Sequence, residues 1–165
     1  MSRLVYLVRH GLADAKGSAY PDDSKRPLTQ EGKDRLHEVG RGLVALGVTV
    51  ESVLTSPFVR ARQTAEILAA SWPKAPGVTD LSALAVGGAI ADVCAALATR
   101  GGSQHLALVG HMPGLGELAS ELLGMAQPVD FKKGAVLCLE LNRTPARGAA
   151  TLRWLATPRM LRRIK

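Results

Sequence analysis

Four residues near short apolar runs carry the side chains that could do chemistry in this chain. His10 and His111 each follow an apolar run closely, Arg9 precedes His10, and Arg60 comes shortly after a third run. Arginine guanidinium groups match the oxygens of a phosphoryl group bidentately. A neutral imidazole nitrogen can attack phosphorus, while a second, protonated imidazole can stabilise the oxygens together with the arginines. These residue types therefore predict a site for a phosphoryl group.

The elements that must position these residues alternate between strand and helix patterns. Short apolar runs followed by turn residues are typical of buried strands, and apolar residues at helical spacing are typical of amphipathic helices. The predicted strands cover 4–8, 53–55, 106–109, 135–141 and 150–155, with an extended segment at 78–84, and the predicted helices lie within 29–47, 57–72, 90–97 and 113–123. This alternation predicts an α/β domain, a three-layer α/β/α sandwich whose sheet is mostly parallel with an antiparallel edge.

Three of the predicted parallel strands end shortly before His10, Arg60 and His111. Sheets of this kind bind ligands beyond the carboxyl ends of their strands. The helices predicted to begin near Pro57 and Pro113 direct their first amide groups to the same edge, and helix N-termini bind anions. If the three strand ends lie side by side, all these groups meet at one place.

Length and composition limit the classes of protein that this chain can be. Its 165 residues fit one domain, 1–165, and 47% hydrophobic with 21% charged residues is ordinary for a globular protein and unlike a disordered one. No apolar run reaches the roughly 18 residues of a membrane span, and the short apolar run at 1–7 has no signal-peptide cleavage pattern after it. We therefore expect a cytoplasmic protein with no membrane contact.

The formal net charge of +7 could indicate nucleic acid, an anionic membrane or an anionic substrate. Part of the surplus lies at the C-terminal end, in Arg159, Arg162, Arg163 and Lys165, and no basic run is interleaved with aromatic residues. No nucleic-acid partner is therefore expected. The two cysteines are too few and too isolated for a disulfide framework or a zinc site, and carboxylates are scarce among these motifs, so no metal and no cofactor is expected.

Three motifs resemble those of the histidine phosphatase superfamily, which also contains the cofactor-dependent phosphoglycerate mutases. They are LVRHG at 7–11, SPFVRARQTA at 56–65 and VGH at 109–111. The short length and the segments RPLTQEG at 26–32, GHMPGL at 110–115 and LRWLATP at 152–158 resemble the SixA-type phosphohistidine phosphatases most. The resemblance covers nearly the whole chain, and it implies a phosphoglycerate mutase-like fold.

The resemblance also implies a role for each residue of the site. His10 is the nucleophile that becomes phosphorylated, Arg9 and Arg60 hold the phosphoryl oxygens, and His111 is the second histidine of the phosphate pocket. The backbone amide of Met112 adds a donor; relatives often have Asn there, whose side-chain donor Met cannot replace.

Two residues beside the motifs stay outside the expected pocket. Arg62 stands where family members often vary. Ser56 is explained by capping the helix predicted to start at Pro57.

The chain departs from the family in the carboxylic acid that protonates the leaving group. SixA-like chains often have an acid two residues after the catalytic histidine, where this chain has Leu12, and other members have a glutamate in the third-strand region, which reads LSAL at 81–84. Asp14 is the nearest acid and the candidate proton donor, with Asp22 and Asp23 as further candidates.

The missing acid favours one substrate class. An alkoxide leaving group needs a proton, whereas the imidazole of a phosphohistidine leaves with far less help. The short chain also has little room for a lid, and an open pocket suits a phosphoryl group carried by a protein. We therefore predict a monomeric phosphatase that acts through a phosphohistidine intermediate on a phosphohistidine-bearing protein. The alternatives are a small-molecule phosphomonoester phosphatase, a mutase-like enzyme, and a non-catalytic phosphate-binding module.

Overall fold

Six strands form a mixed sheet in the computed structural model, which describes residues 2–165. The strands are β1 (Arg3–Arg9), β2 (Ser52–Thr55), β3 (Gly77–Asp80), β4 (His105–Gly110), β5 (Val136–Leu141) and β6 (Ala150–Ala156). Their order is β3-β2-β4-β1-β5-β6, in which the first four are parallel and the last two pair antiparallel. The predicted sheet, mostly parallel with an antiparallel edge, is confirmed.

Helices cover both faces of this sheet. They are α1 (Gln30–Ala45), α2 (Val59–Ala69), α3 (Ile90–Thr99), α4 (Gly114–Leu123) and α5 (Pro158–Leu161). Alternate residues of β1 point to opposite faces: Tyr6 and Val8 pack with α1, α2 and α5, whereas Val5 and Leu7 pack with α3 and α4. The fold is therefore the expected three-layer sandwich. No helix within residues 2–165 is long and apolar enough to cross a bilayer.

The element boundaries differ from the predictions in two places near the sheet edge. Helix α2 begins two residues later than expected, because Pro57 and Phe58 form a bend in which the Phe58 amide donates a hydrogen bond to the Ser56 hydroxyl at 3.2 Å. The segment expected to be extended as far as Leu84 ends its strand at Asp80 and then forms a short 3-10 helix, Ser82–Leu84.

Helix α1 is anchored to the chain that follows β1. The Thr29 hydroxyl caps the helix by accepting from the Gly32 amide at 2.9 Å, and the Thr29 amide donates to the Leu12 carbonyl at 3.0 Å. Gly32 lies directly against that carbonyl, and a β-carbon on it would overlap the oxygen. The packing of α1 therefore fixes the backbone two residues after His10.

Gly32→Ala is expected to lower the free energy of unfolding by about 1–3 kcal/mol, because the overlap with Leu12 outweighs the gain in helix propensity. Urea denaturation at neutral pH measures this change. Gly101→Ala is the control, since a β-carbon at Gly101 meets nothing within 4 Å. Equal stability of the two variants would contradict the close approach.

Candidate active site

Three neighbouring parallel strands end side by side, and each end contributes to one site. β1 ends at Arg9 and leads to His10, β4 leads to His111, and β2 leads through a bend to Arg60 in the first turn of α2. The His10 amide donates to the Gly110 carbonyl at 3.0 Å, and the two imidazole centroids lie 5.1 Å apart. The structure thus brings together the two histidines and two arginines that the sequence pattern singled out.

The hydrogen bonds of His10 define which of its nitrogens carries the proton. Its Nδ1 lies 2.7 Å from the Gly11 carbonyl, which can only accept, so Nδ1 is protonated. The Arg60 Nε–H points at His10 Nε2 from 3.4 Å, which assigns a lone pair to Nε2. His10 Nε2 is therefore in the state that a nucleophile requires.

Thr64 joins the end of β1 to the first turn of α2. Its hydroxyl accepts from the Gly11 amide at 3.1 Å and donates to the Arg60 carbonyl at 2.7 Å. A β-carbon on Gly11 would lie only 2.7 Å from a methyl carbon of Leu36, so the segment after His10 has no room to move outward. These contacts fix the nucleophile relative to Arg60.

Ser56 holds the second imidazole. Its hydroxyl oxygen lies 2.8 Å from His111 Nε2 and already accepts from the Phe58 amide. The hydroxyl hydrogen can therefore be donated to Nε2, and we assign the tautomer of His111 in which the proton lies on Nδ1. The Phe58 ring packs edge-on against the same imidazole at 5.1 Å.

Two buried donors at the site have no hydrogen-bond partner among residues 2–165: Arg9 Nε and His111 Nδ1. The Met112 amide likewise makes no hydrogen bond within this part of the chain. A buried unpaired polar group costs roughly 1–3 kcal/mol and is rare in native proteins. The oxygens of a bound phosphoryl group are the acceptors that this arrangement lacks.

These groups line a cavity of about 410 Å³ with a surplus of positive charge. Its charged lining consists of Arg9, Lys16, Arg26, Arg60 and Lys133 against Asp14 and Asp23. Both carboxylates are engaged, Asp14 by the Tyr20 hydroxyl at 2.6 Å, and Asp23 by Arg26 and Arg60 at 2.9 Å each. The remaining cations favour an anionic ligand.

Burial keeps both imidazoles uncharged. It lowers the pKa of His10 to about 4, with Arg60, Arg9 and Lys133 acting in the same direction and the Gly11 bond against it. Burial, then His10 and Arg60, lowers the pKa of His111 to about 3. The expectation of a protonated second imidazole is therefore wrong for the unliganded site: His111 contributes a neutral Nδ1–H donor.

The three candidate acids lie in different environments. Asp14 lines the cavity, whereas Asp22 caps the short 3-10 helix Asp23–Lys25 through Ser24 and does not line it. Burial raises the pKa of Asp23, but hydrogen bonds from two arginines outweigh it and the net pKa is lowered, so Asp23 stays ionised. Asp14 is the carboxyl that remains as a candidate proton donor.

Sequence reasoning missed three residues of the site. Ser56 was explained as a cap, although its place directly before Pro57 at a strand end could have drawn attention to it. Asp23, considered only as an acid, holds the Arg60 guanidinium through its carboxylate and its carbonyl. Lys133 comes from the loop before β5, which is tied to the site because the Gly134 amide contacts the carbonyls of both Arg9 and His10; no local pattern predicts this.

Comparison with known proteins agrees with the geometry. Residues 5–81 match the model of the histidine phosphatase superfamily (branch 1). The chain is 31% identical to phosphohistidine phosphatase SixA of Escherichia coli K12 over 98% of both chains, and 39% identical to an uncharacterised protein of Picosynechococcus sp. PCC 7002 over 82% of this chain and 83% of that one. A solved structure of the protein histidine phosphatase SixA complexed with tungstate superimposes with a TM-score of 0.84 at 30% identity, covering 94% of this chain and 97% of that one.

We expect the protein to lose stability on acidification because of His10 and His111. Each pKa lies below the ordinary 6.5, so the unfolded chain binds more protons between pH 6.5 and about 4, and the free energy of unfolding falls as pH falls through that window. At pH 5 each histidine lowers the free energy of unfolding by about 2 kcal/mol relative to its value at pH 8. Urea denaturation in phosphate-free buffer should show a smaller acid loss for His10→Gln, while the exposed His37→Gln keeps the wild-type loss. An identical loss in His10→Gln would contradict its desolvation.

Ser56→Ala is expected to lower kcat/KM roughly tenfold, the equivalent of one lost buried hydrogen bond, because His111 loses the partner that fixes its ring and proton. The matched control is Ser52→Ala at the start of β2, the strand that leads to Ser56, since the Ser52 hydroxyl is buried without a partner among the described residues. The two variants are compared by steady-state kinetics on a phosphoryl compound that the wild-type enzyme hydrolyses. Equal losses in both variants would contradict a specific role for Ser56.

Proposed function

The chain belongs to the histidine phosphatase superfamily, and from that premise we propose that it removes the phosphoryl group from a phosphohistidine carried by another protein. His10 Nε2 attacks phosphorus and forms a new P–N bond while the P–N bond to the substrate imidazole breaks. The substrate ring leaves neutral with the bonding electron pair, because its other nitrogen carries a proton. Water then attacks the phosphorus, the bond to His10 breaks, and orthophosphate is released.

The rest of the site stabilises the transferring group. Arg9 and Arg60 place guanidinium charge beside His10, and the Nδ1–H of His111 faces the same space. Donors that are fixed before the reaction stabilise charge without reorganising. The observation that carries the proposal is that Arg9, His10 and His111 line one cavity, in which His10 Nε2 is unprotonated and Arg9 Nε and His111 Nδ1 are buried with no partner among residues 2–165.

The protonation chemistry supports phosphohistidine over a phosphate ester. An ester releases an alkoxide that must be protonated, and Asp23 is held ionised by two arginines. Residues 81–88 supply no carboxyl group at all. An imidazole leaving group needs no such acid.

We also propose that the protein acts as a monomer in the cytoplasm.

Hydrolysis of a phosphate monoester is the second candidate, and Asp14 favours it. This carboxyl lines the same cavity as His10 and has one hydrogen bond, from the partly exposed Tyr20. Asp14 is therefore the carboxyl group placed to act as a proton donor to a leaving alkoxide.

A substrate panel separates the two candidates. We expect kcat/KM on a phosphohistidine protein to exceed that on fructose bisphosphate or phosphoglycerate at least a hundredfold, because only the esters require a strong general acid. Asp14→Asn should lower only the ester rate. Comparable rates on both classes would rule out the preference for phosphohistidine.

The intermediate is tested with radiolabelled phosphohistidine protein and a rapid quench. Acid-labile, base-stable label should appear on the wild-type enzyme and be absent from His10→Ala. The control is His37→Ala, which removes an imidazole outside the site and should keep the label. Label retained in His10→Ala would overturn the assignment of the nucleophile.

A further inference from the structure

A second cavity adjoins the phosphate cavity. It measures about 250 Å³ and lies between the segment 83–88, which follows β3, and the start of α4. Val86, His111 and Met112 line both cavities. A substrate whose phosphoryl group is held between His10 and His111 therefore has this side cavity next to it.

Aliphatic side chains and one charged side chain line the side cavity. Ile90, Val93, Leu115 and Leu118 supply aliphatic surface, and Glu117 is the charged residue of the lining. Glu117 lies in the first turn of α4, is exposed, and makes no side-chain hydrogen bond or ion pair within residues 2–165. The two adjoining cavities therefore carry opposite charge, since the phosphate cavity has five cations against two carboxylates.

Val86 stands at the junction of the two cavities with 53% of its surface exposed. The segment that presents it has a defined backbone: Gly87 has a φ of +81°, and a β-carbon on Gly88 would overlap the Ala83 carbonyl. When a ligand covers a branched apolar side chain that is exposed to water at a cavity mouth, burial of that apolar surface favours binding.

We propose that the side cavity binds the protein segment flanking the substrate phosphohistidine, with an apolar side chain against Val86 and Ile90 and a basic side chain paired to Glu117. This inference rests on the proposed function. In a helical substrate segment, residues three and four positions from the phosphohistidine lie about 5–6 Å from it at their β-carbons. Their side chains can then enter the adjoining side cavity while the phosphoryl group occupies the phosphate cavity. The positive phosphate cavity and the negative Glu117 together favour a substrate whose phosphohistidine is followed, within one helical turn, by a basic residue. An acidic residue at that position of the substrate would be repelled by Glu117.

The test uses two chemically phosphorylated helical peptides and free phosphohistidine. Both peptides have a central histidine and a leucine three residues later, and they carry either lysine or glutamate four residues later. For each enzyme variant the readout is the ratio of kcat/KM on a peptide to kcat/KM on free phosphohistidine. We expect the wild-type ratio to be about tenfold higher for the lysine peptide, Glu117→Gln to abolish that preference, Glu117→Lys to reverse it, and Val86→Ser to lower both peptide ratios.

The control is Glu121→Gln, one turn further along α4 and outside the side cavity, which should keep the wild-type preference. Glu117 and Val86 are exposed, so their variants should fold. Equal ratios for the two peptides with wild-type enzyme, or a preference that survives Glu117→Gln, would overturn this inference alone. Hydrolysis of phosphate esters without hydrolysis of either peptide or of free phosphohistidine would overturn the proposed function, and this inference with it.

Discussion

The burial of two uncharged imidazoles among fixed guanidinium groups is the constraint on which the rest of this structure depends. His10 can present a lone pair on Nε2 because the Gly11 carbonyl holds the proton on Nδ1, and burial with nearby cations keeps the ring neutral. This arrangement is costly for the unliganded fold, since desolvated rings and buried donors without a partner among residues 2–165, such as Arg9 Nε, reduce stability. Phosphoryl oxygens provide the missing acceptors when a substrate binds, and this removes the cost. The resulting binding energy is concentrated at the phosphoryl group, where charge is redistributed during the reaction.

The Asp23 carboxylate allows two arginines of the cavity to lie close together. Arg26 and Arg60 would repel each other across a narrow cavity, and the Asp23 carboxylate accepts one hydrogen bond from each of them. Arg60 is thereby held with its Nε toward His10 while the cavity keeps a net positive charge. The carboxylate that orders the arginines is for the same reason unsuited to donate a proton, because both arginines stabilise its ionised form. Asp23 therefore orders the two arginines and does not serve as a general acid.

The sequence predicted the parts of the site that depend on local patterns. Apolar runs predict β1, β2 and β4, and the rule that ligands bind at the carboxyl ends of parallel strands predicts that His10, Arg60 and His111 lie together. The unpredicted parts depend on chain segments that meet only in three dimensions. Asp23 reaches Arg60 across 37 residues of sequence. The neutral state of His111 depends on its burial, which no motif specifies.

The position of the side cavity follows from the same topology. The segment after β3 and the start of α4 meet beside His111, so Val86, His111 and Met112 line both the phosphate cavity and the side cavity. The family resemblance implies that other members have a glutamate in the third-strand region, which in this chain reads LSAL at 81–84. Here the segment presents Val86 instead, and the carboxylate on the opposite wall, Glu117, belongs to α4. Replacing a proton donor by apolar surface removes help for alkoxide leaving groups and adds contact area for a bulky substrate. Both changes favour a phosphoryl group carried on an imidazole of another protein.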